Sequence, residues 1–139
     1  MSRDKKFVVV LNRSYELSRL TSAIGHVTAG LVGGLANDVE SLSFVHYRSA
    51  DGLVYPMISD WPFIVLKARG GQLATFREIL EVRGVPHSVY LETMLSGGSE
   101  AQQLATNQKN AADIPVLAIA AFGECEQLDE LTKRFSLWQ

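Results

Sequence analysis

Lys6–Asn12 reads KFVVVLN, and the reading of its five consecutive apolar residues decides the fold. A strand with one wet face alternates apolar and polar residues. No polar residue interrupts Phe7–Leu11, so both faces of this strand are expected to be buried, as in the centre of a sheet covered by helices. Asn12 and Arg13 end the run. Ser14 is the expected N-cap of a helix over Tyr15–Gly34, in which Leu17, Leu20, Ile24, Val27 and Leu31 recur every three or four residues. Gly33 and Gly34 are expected to stop it.

Further along, Ser43–Arg48 (SFVHYR) and Leu53–Ile58 (LVYPMI) flank a turn at Asp51-Gly52 and predict a hairpin. Pro56 removes one ladder donor, so the hairpin is expected at a sheet edge. Trp61–Ala68 predicts a second buried strand. A helix over Gln72–Arg83 follows, with Leu73, Phe76, Ile79 and Leu80 inward and Gly84 as its stop. His87–Glu92 is the third expected strand. Ser99 and Gln102 have capping-box spacing for a helix over Glu100–Gln108. Pro115–Phe122 is the fourth buried strand, and Glu124–Arg134 the last helix. The aromatic tail Phe135–Trp138 is expected to dock. Strands alternating with helices imply one domain, residues 1–139, built as a three-layer α/β/α sandwich with a mixed sheet.

Composition narrows the function classes. With 139 residues the chain suits a single core, and its 47% hydrophobic and 20% charged residues are ordinary for a globular protein. No apolar run approaches the roughly 18 residues that span a bilayer, so no membrane association is expected. The N-terminal MSRDKKFVVVLN starts basic and turns apolar, but its apolar run is shorter than the roughly 7–15 residues of a signal segment. A single cysteine, Cys125, excludes an intrachain disulfide and a cysteine-built zinc site, and a cytoplasmic location is the expectation. Net charge −2 gives no global attraction for nucleic acid.

The first helix has two unlike sides. On a wheel its leucine-rich stripe spans about 80°. His26 falls nearly opposite, with Arg19 seven residues earlier almost in line, and Ser22, Ala29, Gly30 and Gly33 fill the rest. A solvated face would carry Glu, Lys and Gln instead. Such a bare face can lie under a second helix, form a homodimer seam, or line a cleft where Arg19 and His26 meet a ligand.

These residues also carry a resemblance. Lys6–Asn12 with the following AIGHVTAGL, then WPFIVLKARGGQLATFREILEVRGVP, then VLAIAAFGECEQLDELTKRFSLW, occur in the order and spacing seen in the type 2 peptidyl-tRNA hydrolases. The similarity covers about two thirds of the chain, and the hairpin with YPMIS looks more like an uncharacterised bacterial family sharing that fold. The resemblance implies the hydrolase-like α/β/α architecture and aligns His26 with a helix histidine of those enzymes. Arg19 stands where they carry a substrate-contacting lysine, and arginine does not replace lysine equivalently. Glu92-Thr93 stands where they carry an Asp-Ala-Gly-x-Thr segment, so the hydrolytic activity does not follow.

The expected site therefore comprises His26 as the candidate catalytic residue, with Asn12, Arg13, Arg19, Ser22, Glu92 and Thr93 as ligand-binding residues. Several of these end strands of an open sheet, where ligands collect. The expected ligand is small or nucleotide-like, with no cofactor and no metal. An ester hydrolase acting on peptidyl-tRNA and an inert dimeric module are the alternatives. A homodimer is expected, and a tRNA partner is disfavoured by the acidic pI of about 5.9. Other features have plainer readings. Ser96–Ser99 is an anion cradle or a hinge. His46 and His87 are isolated strand histidines, and Trp61 and Trp138 are anchors.

Overall fold

The computed structural model describes residues 4–138. The first strand, β1 (Lys5–Asn12), is the second-longest in the fold and the most central. Val8, Val9, Val10 and Leu11 are each 0% exposed. Phe7, Val9 and Leu11 face one core, and Val8 and Val10 face the other. Each buried valine contributes on the order of 1.5–3 kcal/mol of transfer free energy, whichever face it serves.

Six further strands follow: β2 (Phe44–Arg48), β3 (Val54–Ser59), β4 (Phe63–Ala68), β5 (His87–Leu91), β6 (Val116–Glu124) and β7 (Ser136–Leu137). Five strands make one sheet in the order β5-β6-β1-β4-β7. β4 runs parallel to β1, and β6 antiparallel to both β1 and β5, so β1, β4 and β5 all point the same way. Their carboxyl ends share one edge of the sheet. The helices are α1 (Leu17–Gly34), α2 (Gly70–Arg83), α3 (Ser99–Asn107) and α4 (Cys125–Thr132). The first packs on one face of the sheet, with Leu20, Ala23, Val27 and Leu31 in the core that holds Phe7, Val9 and Leu11. On the opposite face, α2 and α4 bring Leu73, Phe76, Leu80 and Leu128 against Val8 and Val10. The chain is a mixed α/β protein with a mixed sheet. None of the helices among the described residues is long and apolar enough to cross a membrane.

Several local expectations need correction. The hairpin does not extend the main sheet; β2 and β3 pair only with each other, with Gly52 at φ +91 in the turn. Ser14 does not cap α1. The Asn12 side chain accepts the Ser14 N–H at 2.9 Å and the Asn12 carbonyl accepts the Tyr15 N–H at 3.2 Å, so a turn occupies these residues. The helix starts at Leu17 behind an extended Glu16, which leaves Leu17 at the frayed end, 38% exposed, while Ala23 takes its place in the stripe. Gln102 does not form the expected capping box either. Its amide donates to the carbonyls of Met94 (3.0 Å) and Gly97 (2.8 Å), tying down the loop ahead of α3. The tail docks as β7 on β4, with the Trp138 N–H donating to the Val65 carbonyl at 3.1 Å.

Candidate functional site

The carboxyl end of β1 meets the start of β6 at Asn12, which is 4% exposed. Its Nδ2 donates to the Val116 carbonyl at 3.0 Å while its Oδ1 holds Ser14. The polar atoms of Asn12 thus serve the junction. Thr93 is likewise turned inward. The single Thr106 hydroxyl proton serves the Gln102 carbonyl at 2.8 Å, so Thr93 donates to Thr106 Oγ1 across 2.6 Å. Arg13 and Ser22 are exposed.

Arg19 and Glu92 are brought together by a residue that the sequence reading passed over. Tyr15 lies between them, with its hydroxyl donating to Glu92 Oε2 at 2.5 Å and the Arg19 guanidinium 5.8 Å from its ring centroid. The bond to Glu92 holds the Tyr15 phenol above its usual value of 10.0. Burial and the Glu92 charge add to this, and the charge of Arg19 opposes it. Glu92 itself is placed by the end of β5, where its N–H donates to the Pro115 carbonyl at 3.0 Å.

Farther along α1, His26 is exposed and its ring lies on Tyr90 of β5, with centroids 6.0 Å apart and an interplanar angle of 24°. Beside His26 this face borders a cleft that Arg19 does not line. It measures about 280 Å³ and is lined by His26, Val27, Tyr90, Met94 and Gln102, with Ser88 and Val89 behind. Two features set its shape. A Cβ on Gly30 would stand 3.0 Å from Ser88 Oγ, so a glycine there lets α1 approach β5 closely. The Tyr90 hydroxyl donates to the Met94 carbonyl at 2.8 Å, which fixes its ring against the following turn. Gly25 and Gly33, by contrast, have no atom within 4 Å of an added Cβ and face open space.

Tyr90 was legible in principle. Strand alternation in HSVYL puts Ser88 and Tyr90 on the face opposite Val89 and Leu91. Knowing which of those faces carries α1 requires the strand order, which one sequence does not contain. His46 and His87 stay apart from His26. His46 is exposed on β2, and His87 Nδ1 bonds to the Val85 carbonyl at 2.8 Å. No group of three or more His, Cys, Asp or Glu side chains stands together among the described residues.

These features define a mixed α/β protein with a small, partly aromatic cleft between its first helix and an edge strand. Residues 5–139 match the family described as "Protein of unknown function (DUF2000)", and the chain belongs to that family. Among solved structures it is similar to the protein of unknown function Atu0240 from Agrobacterium tumefaciens strain C58. The identity is 20%, 98% of each chain is covered, and the TM-score is 0.82, a likeness of fold. Among curated proteins none matches the chain.

Proposed function

We propose that this DUF2000 protein binds a small nucleotide-like ligand beside α1, with its flat ring against His26 and Tyr90 and its anionic group toward Arg19. One observation carries the reading: an exposed imidazole already stacked on a tyrosine at the mouth of a cleft. The residues on α1 between Arg19 and His26 that face outward are small, Ser22 among them, so nothing bulky blocks the path. Two turns of helix put the two side chains on the order of 10 Å apart, a span that a ring and its phosphate can bridge. The cleft volume is at the lower limit of typical ligand pockets, enough for the ring alone. A thermal-shift series with adenosine, AMP and inorganic phosphate tests this. AMP is expected to raise the melting temperature of the wild type most, and less in His26→Ala and in Arg19→Ala. No shift with AMP, or equal shifts in all three proteins, refutes it.

The ester-hydrolase reading, and with it the peptidyl-tRNA hydrolase-like architecture, rests on motif resemblance alone. Among the described residues the His26 ring has the Tyr90 ring beside it and no hydrogen bond to a carboxylate that would orient it. The family and the structural neighbour are both described as of unknown function. Release of tRNA from peptidyl-tRNA above the buffer rate, abolished in His26→Ala, would replace the binding reading with the hydrolytic one. A cytoplasmic location remains an inference from the single cysteine.

For the homodimer, the hairpin is a better seam than α1. Tyr47, Leu53, Val54, Tyr55, Met57 and Ile58 on β2–β3 and its turn are each 45–56% exposed. Strand alternation divides them between the two faces of the ribbon, with Tyr47, Tyr55 and Met57 on one and Val54 and Ile58 on the other, and the hairpin pairs with no other strand among the described residues. We therefore propose that a second copy covers the hairpin. Sedimentation is expected to show a dimer that Tyr55→Glu dissociates; a monomeric wild type ends the idea.

A further inference from the structure

On the face of the sheet away from His26, a groove of about 750 Å³ runs between α2 and α4. Its origin is a mismatch of lengths. α2 has 14 residues and α4 only 8, so the shorter helix leaves the outer side of α2 uncovered. From Arg69, just ahead of α2, the lining runs through Gln72, Phe76, Ile79 and Arg83 at alternating spacings of three and four, with Gly71 and Thr75 beside this stripe. Phe76 meets Phe135 edge-on with centroids 5.4 Å apart, and Leu131 joins them, so the floor is apolar.

The charge on the rim is uneven, and the topology explains why. β6 runs against β4, so α4 returns antiparallel to α2 and ends near the start of α2. Ser136, two residues after Arg134, pairs with Lys67 of β4, while Arg69 directly follows the last residue of the same strand. Arg69, Lys133 and Arg134 therefore gather at one end of the groove. A single carboxylate answers them: Glu130, bound to Lys133 at 3.0 Å. Arg69 and Arg134 have no carboxylate partner among the described residues. Arg83 alone stands at the far end. On a chain of net charge −2 this is a local excess of cations beside an apolar trough.

We propose that the groove is a second ligand site and takes an amphiphilic carboxylate, its head between Arg69 and Arg134 and its chain along Phe76, Ile79, Leu131 and Phe135. The volume is within the range of small-molecule pockets. From Gln72 to Ile79 the apolar trough is about 10 Å long, which an extended chain of about eight carbons fills. Guanidinium groups suit the head because they present paired donors to a carboxylate. A cationic amphiphile would meet the same floor and the wrong charge.

Calorimetric titration with octanoate, and with octylamine as the charge control, tests the assignment. Octanoate is expected to bind with one site per chain and octylamine not to bind. Arg134→Glu, an exposed position whose fold is checked by circular dichroism, is expected to weaken octanoate at least about tenfold. Ile79→Asp is expected to abolish binding. Absence of octanoate binding, equal binding of octylamine, or an unchanged affinity in Arg134→Glu would each overturn the proposal.

Discussion

The close approach of α1 to β5 can be tested with alanine alone. Gly25 and Gly30 both lie inside α1, five residues apart, so alanine brings each the same relief of backbone entropy, about 0.5–1 kcal/mol. They differ in what a new methyl meets. At Gly25 it meets open space; at Gly30 it would stand 3.0 Å from Ser88 Oγ and 3.9 Å from Ser88 Cβ. Gly25→Ala should therefore raise the melting temperature by about 2–4 °C, the shift expected of that energy in a domain of this size. Gly30→Ala should gain little or nothing, because the serine must rotate or the helix must move by a few tenths of an ångström. Removing the hydroxyl should release the difference: in a Ser88→Ala background, Gly30→Ala should recover the gain seen at Gly25. The coupling between the two sites, measured by a double-mutant thermal-unfolding cycle, should be positive and of order 0.5–1 kcal/mol. If Gly30→Ala stabilises as much as Gly25→Ala with Ser88 present, the two elements are not in contact there, and the placement of His26 over Tyr90 loses its support.

Two further expectations concern single side chains. Tyr15 has a raised phenol pKa, so its folded-state bond to Glu92 supports stability below pH 10 and is lost as pH climbs through the raised value. Ultraviolet titration should show a phenol ionising above 10 that disappears in Tyr15→Phe, and its persistence in that variant would be contrary. Thr28 Oγ1 is buried without a partner, so Thr28→Val should leave the fold unchanged and raise stability by about 1 kcal/mol in a denaturant melt; a loss would mean that the hydroxyl is bonded after all.

The core was legible because its signals are local. Five apolar residues in a row at Phe7–Leu11 require two buried faces, and both were found. Gly84 after the second helix needs φ > 0, and it has φ +65. The site was less legible because it is built from residues distant in sequence. Tyr15 and Glu92 are 77 positions apart and meet only because β1 and β5 end at the same edge. The helix wheel placed Arg19 and His26 on one face, yet it could not show that this face overhangs an edge strand. Residues chosen for ending strands divided into two kinds: Asn12 and Thr93 use their polar atoms internally, while Arg13 and Glu92 remain exposed. Strand-end position marks the edge where ligands collect, and hydrogen-bond saturation decides which residues there remain available to a ligand.

Asn12 is where this distinction has the largest consequence, because it joins structure serving both faces of the sheet. Its amide links the end of β1 to the start of β6, its oxygen holds the turn that leads to α1, and its Nδ2 would be 3.4 Å from a Cβ on Gly70 at the start of α2. Asn12→Ala would leave the Val116 carbonyl and the Ser14 N–H without their partner, at about 1–3 kcal/mol for a buried group. Asn12→Asp keeps the size and the acceptor but sets a carboxylate oxygen against the Val116 carbonyl, with no proton between them at neutral pH. The aspartate variant should therefore be the less stable of the two at pH 7 and should recover as the pH falls and the carboxyl becomes a donor. Thermal melts of both variants between pH 4 and 7 decide it. If Asn12→Asp is as stable as wild type at pH 7, the side chain is not the buried bracket described, and Asn12 returns to the set of residues free to meet a ligand.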